Sequence, residues 1–173
     1  LAAKLAGRLG DGFICTSGKP SELYLELVSN LEEGARAAGR DPAALPRMIE
    51  IKVSYDHDRA YAEEACGWWA ALALSAEQKA GVEDPIEMER LADANREAAG
   101  SRFIVSDDPD EVVERIAPYV ELGFDELIFH APGDDQARFL AVKTIACQII
   151  AVARLVVMGV RNNVVLRKKI QPV

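Results

Sequence analysis

The sequence is poor in the residues on which several common protein classes depend. Its 173 residues contain three cysteines, Cys15, Cys66 and Cys147, and no two of them have the Cys-x-x-Cys spacing. The sequence therefore predicts neither a disulfide framework nor a zinc site, and it fits a reducing compartment such as the cytoplasm. A Gly-x-Ser-x-Gly segment is also absent, which argues against a Ser-His-Asp hydrolase.

The sequence also has few basic residues relative to acidic ones and no long apolar run. Lys and Arg together number 20 against 28 Asp and Glu, which gives a net charge of -8. Such a chain lacks the basic footprint of a general nucleic-acid-binding protein, although a local basic pocket for an anion remains compatible with it. The most apolar stretch, Ala151 to Val160, contains Arg154 and follows Lys143, so it falls short of the ~20 residues of a membrane span.

What the sequence does have is a regular alternation of predicted strands and helices. Strands are predicted at Gly12–Thr16, Met48–Tyr55, Phe103–Val105 and Asp125–His130, and helices lie between them, including Arg59–Leu74 and Asp84–Ala99. This order favours a parallel sheet, in either an open doubly wound domain or a barrel. Four strands are half of an eight-stranded barrel, whose usual length is about 250 residues. Leu1, Leu5 and Leu9 indicate a helix that the chain enters midway, so we expect a piece of a longer protein.

The segment Thr16-Ser17-Gly18-Lys19 is the first candidate for a binding site. It follows the first predicted strand and precedes a helix for which Ser21 is the predicted N-cap. Ligands of parallel α/β proteins gather at the carboxyl ends of strands, and backbone N–H groups, hydroxyls and a helix N-terminus favour an anion there. The segment is not a Walker A loop. A plain strand-to-helix turn with a good cap is the alternative interpretation.

Two further cations could serve the same anion. Lys79 lies in a long connection, and Arg102 stands immediately before a predicted strand. Together with Lys19 they could bind a phosphate monoester, with arginine supplying a bidentate contact. Taken separately, Lys79 and Arg102 are better explained as solvated surface side chains, and sequence spacing does not show that they converge with Lys19.

The histidines and tryptophans give weaker signals. His130 ends the last predicted strand, where a barrel active site would have it, but no nucleophile motif accompanies it. We therefore interpret His130 as a core or supporting residue. Trp68 and Trp69 are predicted to pack in the core and not to form a platform for a sugar ring.

Five segments carry a resemblance to a known family. They are AGRLGDGFICTSGK, MIEIKVSYD, EQK followed by DPIEMER, RFIVSDDPDEVVE and FHAPGDDQARFL. In this order, from Leu1 to about Leu140, they resemble the C-terminal half of the coenzyme F420-dependent glucose-6-phosphate dehydrogenases, which are luciferase-like (β/α)8 TIM barrels. The resemblance implies parallel strands alternating with helices. It also implies oxidation of glucose 6-phosphate to 6-phosphogluconolactone with hydride transfer to coenzyme F420, in a cytoplasmic protein that is a homodimer at full length.

The resemblance assigns roles to particular residues. It implies that Thr16, Lys19, Lys79 and Arg102 bind the substrate phosphate, and that Leu1 and Ala2 are the positions left of those that border the deazaflavin. The catalytic side chains of the family match no residue here, so we expect no dehydrogenase activity from this chain alone. A related F420-dependent oxidoreductase with another substrate, or an inactive phosphosugar-binding fragment, remains the alternative.

The last part of the chain departs from the family pattern. Residues 1–140 are predicted to form the barrel half, and residues 141–173 a divergent tail that is apolar and then basic. The segment VRNNVVLRKKIQPV in this tail has the pattern of a strand. A reading-frame change or a gene fusion would produce such an ending.

Overall fold

The computed structural model describes residues 1–133 and the backbone of two later strands. The α-helices are α1 Ala2–Leu9, α2 Ser21–Ala37, α3 Arg59–Ala65, α4 Ala76–Lys79, α5 Pro85–Ala94 and α6 Pro109–Glu121. The strands are β1 Phe13–Thr16, β2 Arg47–Tyr55, β3 Ile104–Ser106, β4 Glu126–His130, β5 Leu155–Val160 and β6 Asn163–Lys168. Segments of 3-10 helix cover Pro42–Ala44, Cys66–Ala73 and Arg96–Arg102. The predicted alternation of strands and helices is confirmed.

The chain forms two compact units. The first contains Leu1–Ile51 and Ile116–Phe129 with β5 and β6, and the second contains Lys52–Arg115 with residues 130–133. In the first unit the strand order is β1-β2-β4-β6-β5. β1 runs parallel to the first half of β2, in a register from Phe13 opposite Arg47 to Thr16 opposite Glu50. Thr16 is thus the carboxyl-terminal residue of a strand in a parallel pair, as the sequence predicted.

The two late strands depart from the parallel arrangement. β5 and β6 form an antiparallel pair, and β6 also runs antiparallel to β4, with Leu127 opposite Leu166. The strand predicted from VRNNVVLRKKIQPV is therefore confirmed as β6. The rest of the predicted tail, residues 141–154, 161–162 and 169–173, lies outside the described residues.

Helices α1 and α2 pack through two glycines. A Cβ atom built on Gly7 would lie 2.0 Å from the carbonyl oxygen of Leu31, and one on Gly34 would lie 2.1 Å from that of Lys4. The two helix backbones therefore approach more closely than any side chain would allow. The leucine stripe of α1 takes no part in this packing. Leu1, Leu5 and Leu9 predict the helix correctly, but all three are exposed, and the buried residues of α1 are Ala3 and Gly7.

The start of α2 differs from the sequence prediction. Pro20 occupies the N-cap position and Ser21 is the first helical residue, so Ser21 is not the cap. The buried residues of α2 are Tyr24, Leu31, Gly34 and Ala35, whereas Leu23 is exposed. The inward position of Tyr24 determines how the preceding turn is held.

The second unit is built on the carboxyl half of β2. β3 runs parallel to it, with Val53 opposite Ile104 and Tyr55 opposite Ser106. The predicted strand Phe103–Val105 is thus shifted by one residue. The predicted helix Arg59–Leu74 divides into α3 and a 3-10 helix from Cys66, which is kinked at Trp69 with φ -117° and ψ 24°. The helix predicted over Asp84–Ala99 divides in the same way, into α5 and the 3-10 helix Arg96–Arg102.

A small core holds these irregular segments together. It consists of the buried residues Cys66, Ala70, Ala99 and Phe103. The two 3-10 helices and the residue before β3 all contribute to it. No helix in the described part of the chain is long and apolar enough to cross a membrane.

Candidate anion-binding site

The turn between β1 and α2 is held from inside by one buried hydroxyl. The Tyr24 hydroxyl donates a hydrogen bond of 3.0 Å to the carbonyl oxygen of Thr16. It also accepts one of 3.0 Å from the backbone N–H of Lys19. A single oxygen atom therefore connects the first and last residues of the Thr16–Lys19 segment.

The remaining backbone donors of the turn are also bound within the protein. The N–H of Ser17 donates to the carbonyl oxygen of Glu50 at 2.8 Å. The N–H of Gly18 donates to the hydroxyl of Tyr119 at 3.2 Å. Gly18 has φ +86°, which an L side chain rarely adopts, and this explains why glycine stands there.

These contacts change the predicted mode of anion binding. The sequence led us to expect that backbone N–H groups of the turn would contribute to an anion cradle, but those of residues 17–19 already have acceptors in the protein. The side chains of Thr16 and Lys19, by contrast, are exposed. An anion would therefore meet the Thr16 hydroxyl and the Lys19 ammonium group, with the N-terminus of α2 behind them.

The Tyr24 ring is fixed by aromatic neighbours. Its side chain is 1% exposed, and the rings of Tyr119 and Phe124 meet it edge-on with centroid distances of 5.7 and 5.8 Å. Burial raises the pKa of the Tyr24 phenol to about 12, and the hydrogen bond from Lys19 only partly opposes this. The hydroxyl therefore stays protonated at neutral pH and keeps its donor function.

This raised pKa predicts loss of stability at high pH. An unfolded tyrosine ionises near pH 10, whereas Tyr24 in the folded chain ionises at about pH 12. Between these values the folded state binds more protons than the unfolded state, so the free energy of unfolding falls as the pH rises. Burial also raises the pKa of Cys15 to about 11, which adds a decline that begins near pH 9.

Urea unfolding measured from pH 8 to pH 12 tests this expectation. Tyr24→Phe should reduce the decline between pH 10 and pH 12, and Cys15→Ser should reduce the part that begins lower. Burial also raises the pKa of Tyr55 and of Cys66, so part of the decline should persist in both variants. An identical alkaline decline in the wild-type chain and in Tyr24→Phe would contradict the assignment to Tyr24.

The other two predicted phosphate ligands lie in the second unit. Lys79 is the last residue of α4, a short helix that begins with a Ser75–Gln78 capping box. Arg102 ends the 3-10 helix before β3, next to the buried Phe103. Both side chains are exposed, and within residues 1–133 neither forms an ion pair. The structure thus brings Thr16 and Lys19 together, while the convergence of Lys79 and Arg102 with them stays a prediction.

His130 packs among aromatic side chains of the second unit. The Trp69 ring meets it edge-on at 4.6 Å, and Phe103 lies at 6.3 Å. The Trp69 indole N–H donates to the carbonyl oxygen of Pro132 at 3.1 Å. The supporting role predicted for His130 agrees with this packing. The core position predicted for Trp68 and Trp69 is wrong, because these residues are 69% and 40% exposed.

The two positions implied for cofactor contact lie at the start of α1. Leu1 is wholly exposed, and Ala2 is exposed in the first turn of α1. A deazaflavin ring requires apolar walls that exclude water, and these two residues supply none. Leu1 and Ala2 therefore do not hold the cofactor by themselves, and we derive no chemical step through it.

Sequence reasoning missed Tyr24 and Tyr119, which hold the turn but do not belong to any motif. The only local signal was an aromatic residue in the first turn of α2. The sequence analysis also missed a cleft of about 690 Å³ in the second unit. Arginines and glutamates line this cleft in equal number, among them Arg59 and Glu63, which pair with each other.

Comparison with protein families identifies the fold. The profile of the family described as luciferase-like monooxygenase matches residues 2–126. The chain belongs to this family. A solved structure agrees: an F420-dependent secondary alcohol dehydrogenase in complex with an F420-acetone adduct has a TM-score of 0.68 at 28% identity, over 85% of this chain and 45% of that one. The fold is therefore that of the luciferase-like TIM barrels, as the resemblance implied.

A second solved structure supports the fold alone. The coenzyme F420-dependent tetrahydromethanopterin reductase of Methanopyrus kandleri has a TM-score of 0.62 at 21% identity, over 87% of this chain and 47% of that one.

Curated luciferase-like relatives are considerably more similar in sequence. The F420-dependent glucose-6-phosphate dehydrogenase of Beutenbergia cavernae is 63% identical over 141 residues, which cover 80% of this chain and 42% of the relative. The enzyme of the same name from Mycolicibacterium smegmatis is 57% identical over 142 residues, with 81% and 42% covered. The chain thus spans less than half the length of the curated relatives that it matches.

Proposed function

We propose that the chain is the phosphate-binding part of a coenzyme F420-dependent glucose-6-phosphate dehydrogenase. The whole protein would oxidise glucose 6-phosphate to 6-phosphogluconolactone and transfer a hydride to coenzyme F420. One observation carries the proposal: an exposed threonine and an exposed lysine are held in a fixed turn at the carboxyl end of β1. The turn occurs in a chain that is 63% identical to a relative of that name.

The roles of the binding residues follow from their chemistry. The Thr16 hydroxyl would hydrogen-bond a phosphate oxygen, and the Lys19 ammonium group would supply a charge-assisted contact. Lys79 would add a second ammonium group, and Arg102 a planar fork that can bind two phosphate oxygens at once. We assign no catalytic role within this chain. Leu1 and Ala2 would at most border the deazaflavin at the start of α1.

Calorimetric titration tests the proposed substrate class. We expect glucose 6-phosphate to bind the chain measurably and glucose to bind at least about tenfold more weakly, because only the ester offers a dianion to the cations. Arg102→Ala should weaken the binding of the ester and leave that of glucose unchanged. Circular dichroism would establish that each variant is folded. Equal affinity for ester and free sugar in a folded chain would contradict the proposal.

A related F420-dependent oxidoreductase with a different substrate is the second candidate. The observation in its favour is the structural similarity to the secondary alcohol dehydrogenase, whose described complex contains an F420-acetone adduct. Binding of a small secondary alcohol in preference to the phosphate ester would favour it. An inactive phosphosugar-binding chain is the third candidate, and reduction of coenzyme F420 by the purified chain with glucose 6-phosphate would exclude it.

We also make proposals about the location, partners and domain organisation of the protein. We propose a cytoplasmic protein that acts on a small phosphate ester and forms a homodimer at full length, without a nucleic-acid or membrane partner. The net charge of -8 supports the proposed lack of a nucleic-acid partner, and the scattered cysteines fit a cytoplasmic protein. We also propose that residues 1–140 belong to the barrel domain and residues 141–173 to a divergent tail.

A further inference from the structure

We infer that Tyr24 is a positioning residue for phosphate recognition, and that it acts with Tyr119 as a clasp on the turn. The inference rests on the proposed function for its ligand, but its geometry stands independently of it. The tyrosine clasp, defined as the hydroxyls of Tyr24 and Tyr119, binds the backbone of Thr16, Gly18 and Lys19. Neither tyrosine has a role in the functional proposal above.

The Tyr24 hydroxyl uses both of its functions on the turn. A phenol supplies one O–H donor and acceptor lone pairs, and here the donor faces the carbonyl of Thr16 while an acceptor faces the N–H of Lys19. These are the two residues whose side chains would hold the phosphate. A fixed distance between their backbones fixes the separation of the Cβ atoms from which the Thr16 hydroxyl and the Lys19 side chain extend.

The clasp is anchored on regular structure. Tyr24 projects from the first turn of α2 and Tyr119 from the last turn of α6, two helices of 17 and 13 residues. Phe124 packs against the Tyr24 ring on another side. Binding groups carried by a loop are precise only when a rigid second layer supports them. The turn itself contains Gly18 at φ +86° and would sample other conformations without this support.

The clasp also determines which groups recognise the anion. Since the N–H groups of Gly18 and Lys19 are bound to tyrosine hydroxyls, phosphate does not have to displace water from them. The turn is thus organised before the ligand arrives, and the phosphate is recognised by side chains. Preorganisation of this kind raises affinity because less ordering remains to be done on binding.

Tyr24→Phe is the test, because it keeps the buried ring and removes only the hydroxyl. We expect the Kd for glucose 6-phosphate to rise about tenfold in calorimetric titration. We also expect the amide hydrogen of Lys19 to exchange about tenfold faster in NMR, since it loses its acceptor. Tyr55→Phe is the matched control: it removes a buried tyrosine hydroxyl that faces His57 at 3.4 Å, and neither quantity should change.

Tyr119→Phe separates the two halves of the clasp. It should accelerate exchange of the Gly18 amide and leave that of Lys19 close to its wild-type rate. The thermal midpoint of each variant shows whether it is folded. An unchanged Lys19 exchange rate in folded Tyr24→Phe would overturn the inference, and so would an unchanged Kd in that variant when Lys19→Ala weakens binding.

The same experiments distinguish this inference from the proposed function. If the wild-type chain binds neither glucose 6-phosphate nor inorganic phosphate, the proposed function fails for this chain. Faster exchange of Lys19 in Tyr24→Phe would then still support a clasp that organises the turn, and unchanged exchange would reject both.

Discussion

Gly34→Ala is expected to lower the free energy of unfolding by about 2 kcal/mol or more, although alanine is the better helix former. The added Cβ would lie 2.1 Å from the carbonyl oxygen of Lys4 and 2.9 Å from its Cα atom. These are backbone atoms of α1, so no side-chain rotation can relieve the clash and the two helices must separate. Separation would also disturb the contact of Gly7 with Leu31, since it lies in the same helix pair.

Gly100→Ala is the matched control for this prediction. Its Cβ would meet the Cγ2 atom of Val105 at 3.6 Å, which is an ordinary van der Waals contact. We expect the free energy of unfolding to change by no more than about 0.5 kcal/mol. Urea unfolding of the wild-type chain and the two variants gives the comparison. Equal stability of Gly34→Ala and Gly100→Ala would show that α1 does not pack on α2 as described.

Lys19→Ala is expected to weaken the binding of glucose 6-phosphate about thirtyfold, the effect of removing one charged hydrogen-bond donor from a phosphate. The side chain is exposed and forms no ion pair within residues 1–133, so the chain should otherwise be undisturbed. The affinity of the wild-type chain should also fall with added salt, because ions screen an exposed lysine. Calorimetric titration at two salt concentrations measures both effects.

Lys4→Ala is the control for the loss of one positive charge. Lys4 lies in α1 and forms a salt bridge of 2.7 Å with Glu33 on the surface of the same unit. Its replacement changes the net charge as Lys19→Ala does, but it leaves the turn intact, so the Kd should stay within about twofold of the wild-type value. A similar loss of affinity in both variants would mean that net charge, and not the turn, governs binding.

The local features of the chain were predictable from sequence because their causes are local. Asp58, Asp84 and Asp108 lie just before their helices, and each accepts a hydrogen bond from a backbone N–H two residues later. The order of strands and helices and the position of the Thr16–Lys19 turn follow from such signals. Periodicity failed where no regular helix exists: the segment after Cys66 keeps an apolar composition but is a kinked 3-10 helix.

The features that only the tertiary structure decided depend on contacts between residues far apart in the chain. Gly18 and Tyr119 are 101 positions apart, and no local pattern connects a glycine N–H to a tyrosine hydroxyl at that separation. The exposure of the α1 leucines was equally hidden, because close backbone packing at Gly7 and Gly34 turns a different face of the helix inward. The sequence thus determined which elements form and where the Thr16–Lys19 turn lies. The fold decided how that turn is held, since its support comes from side chains that only packing brings to it.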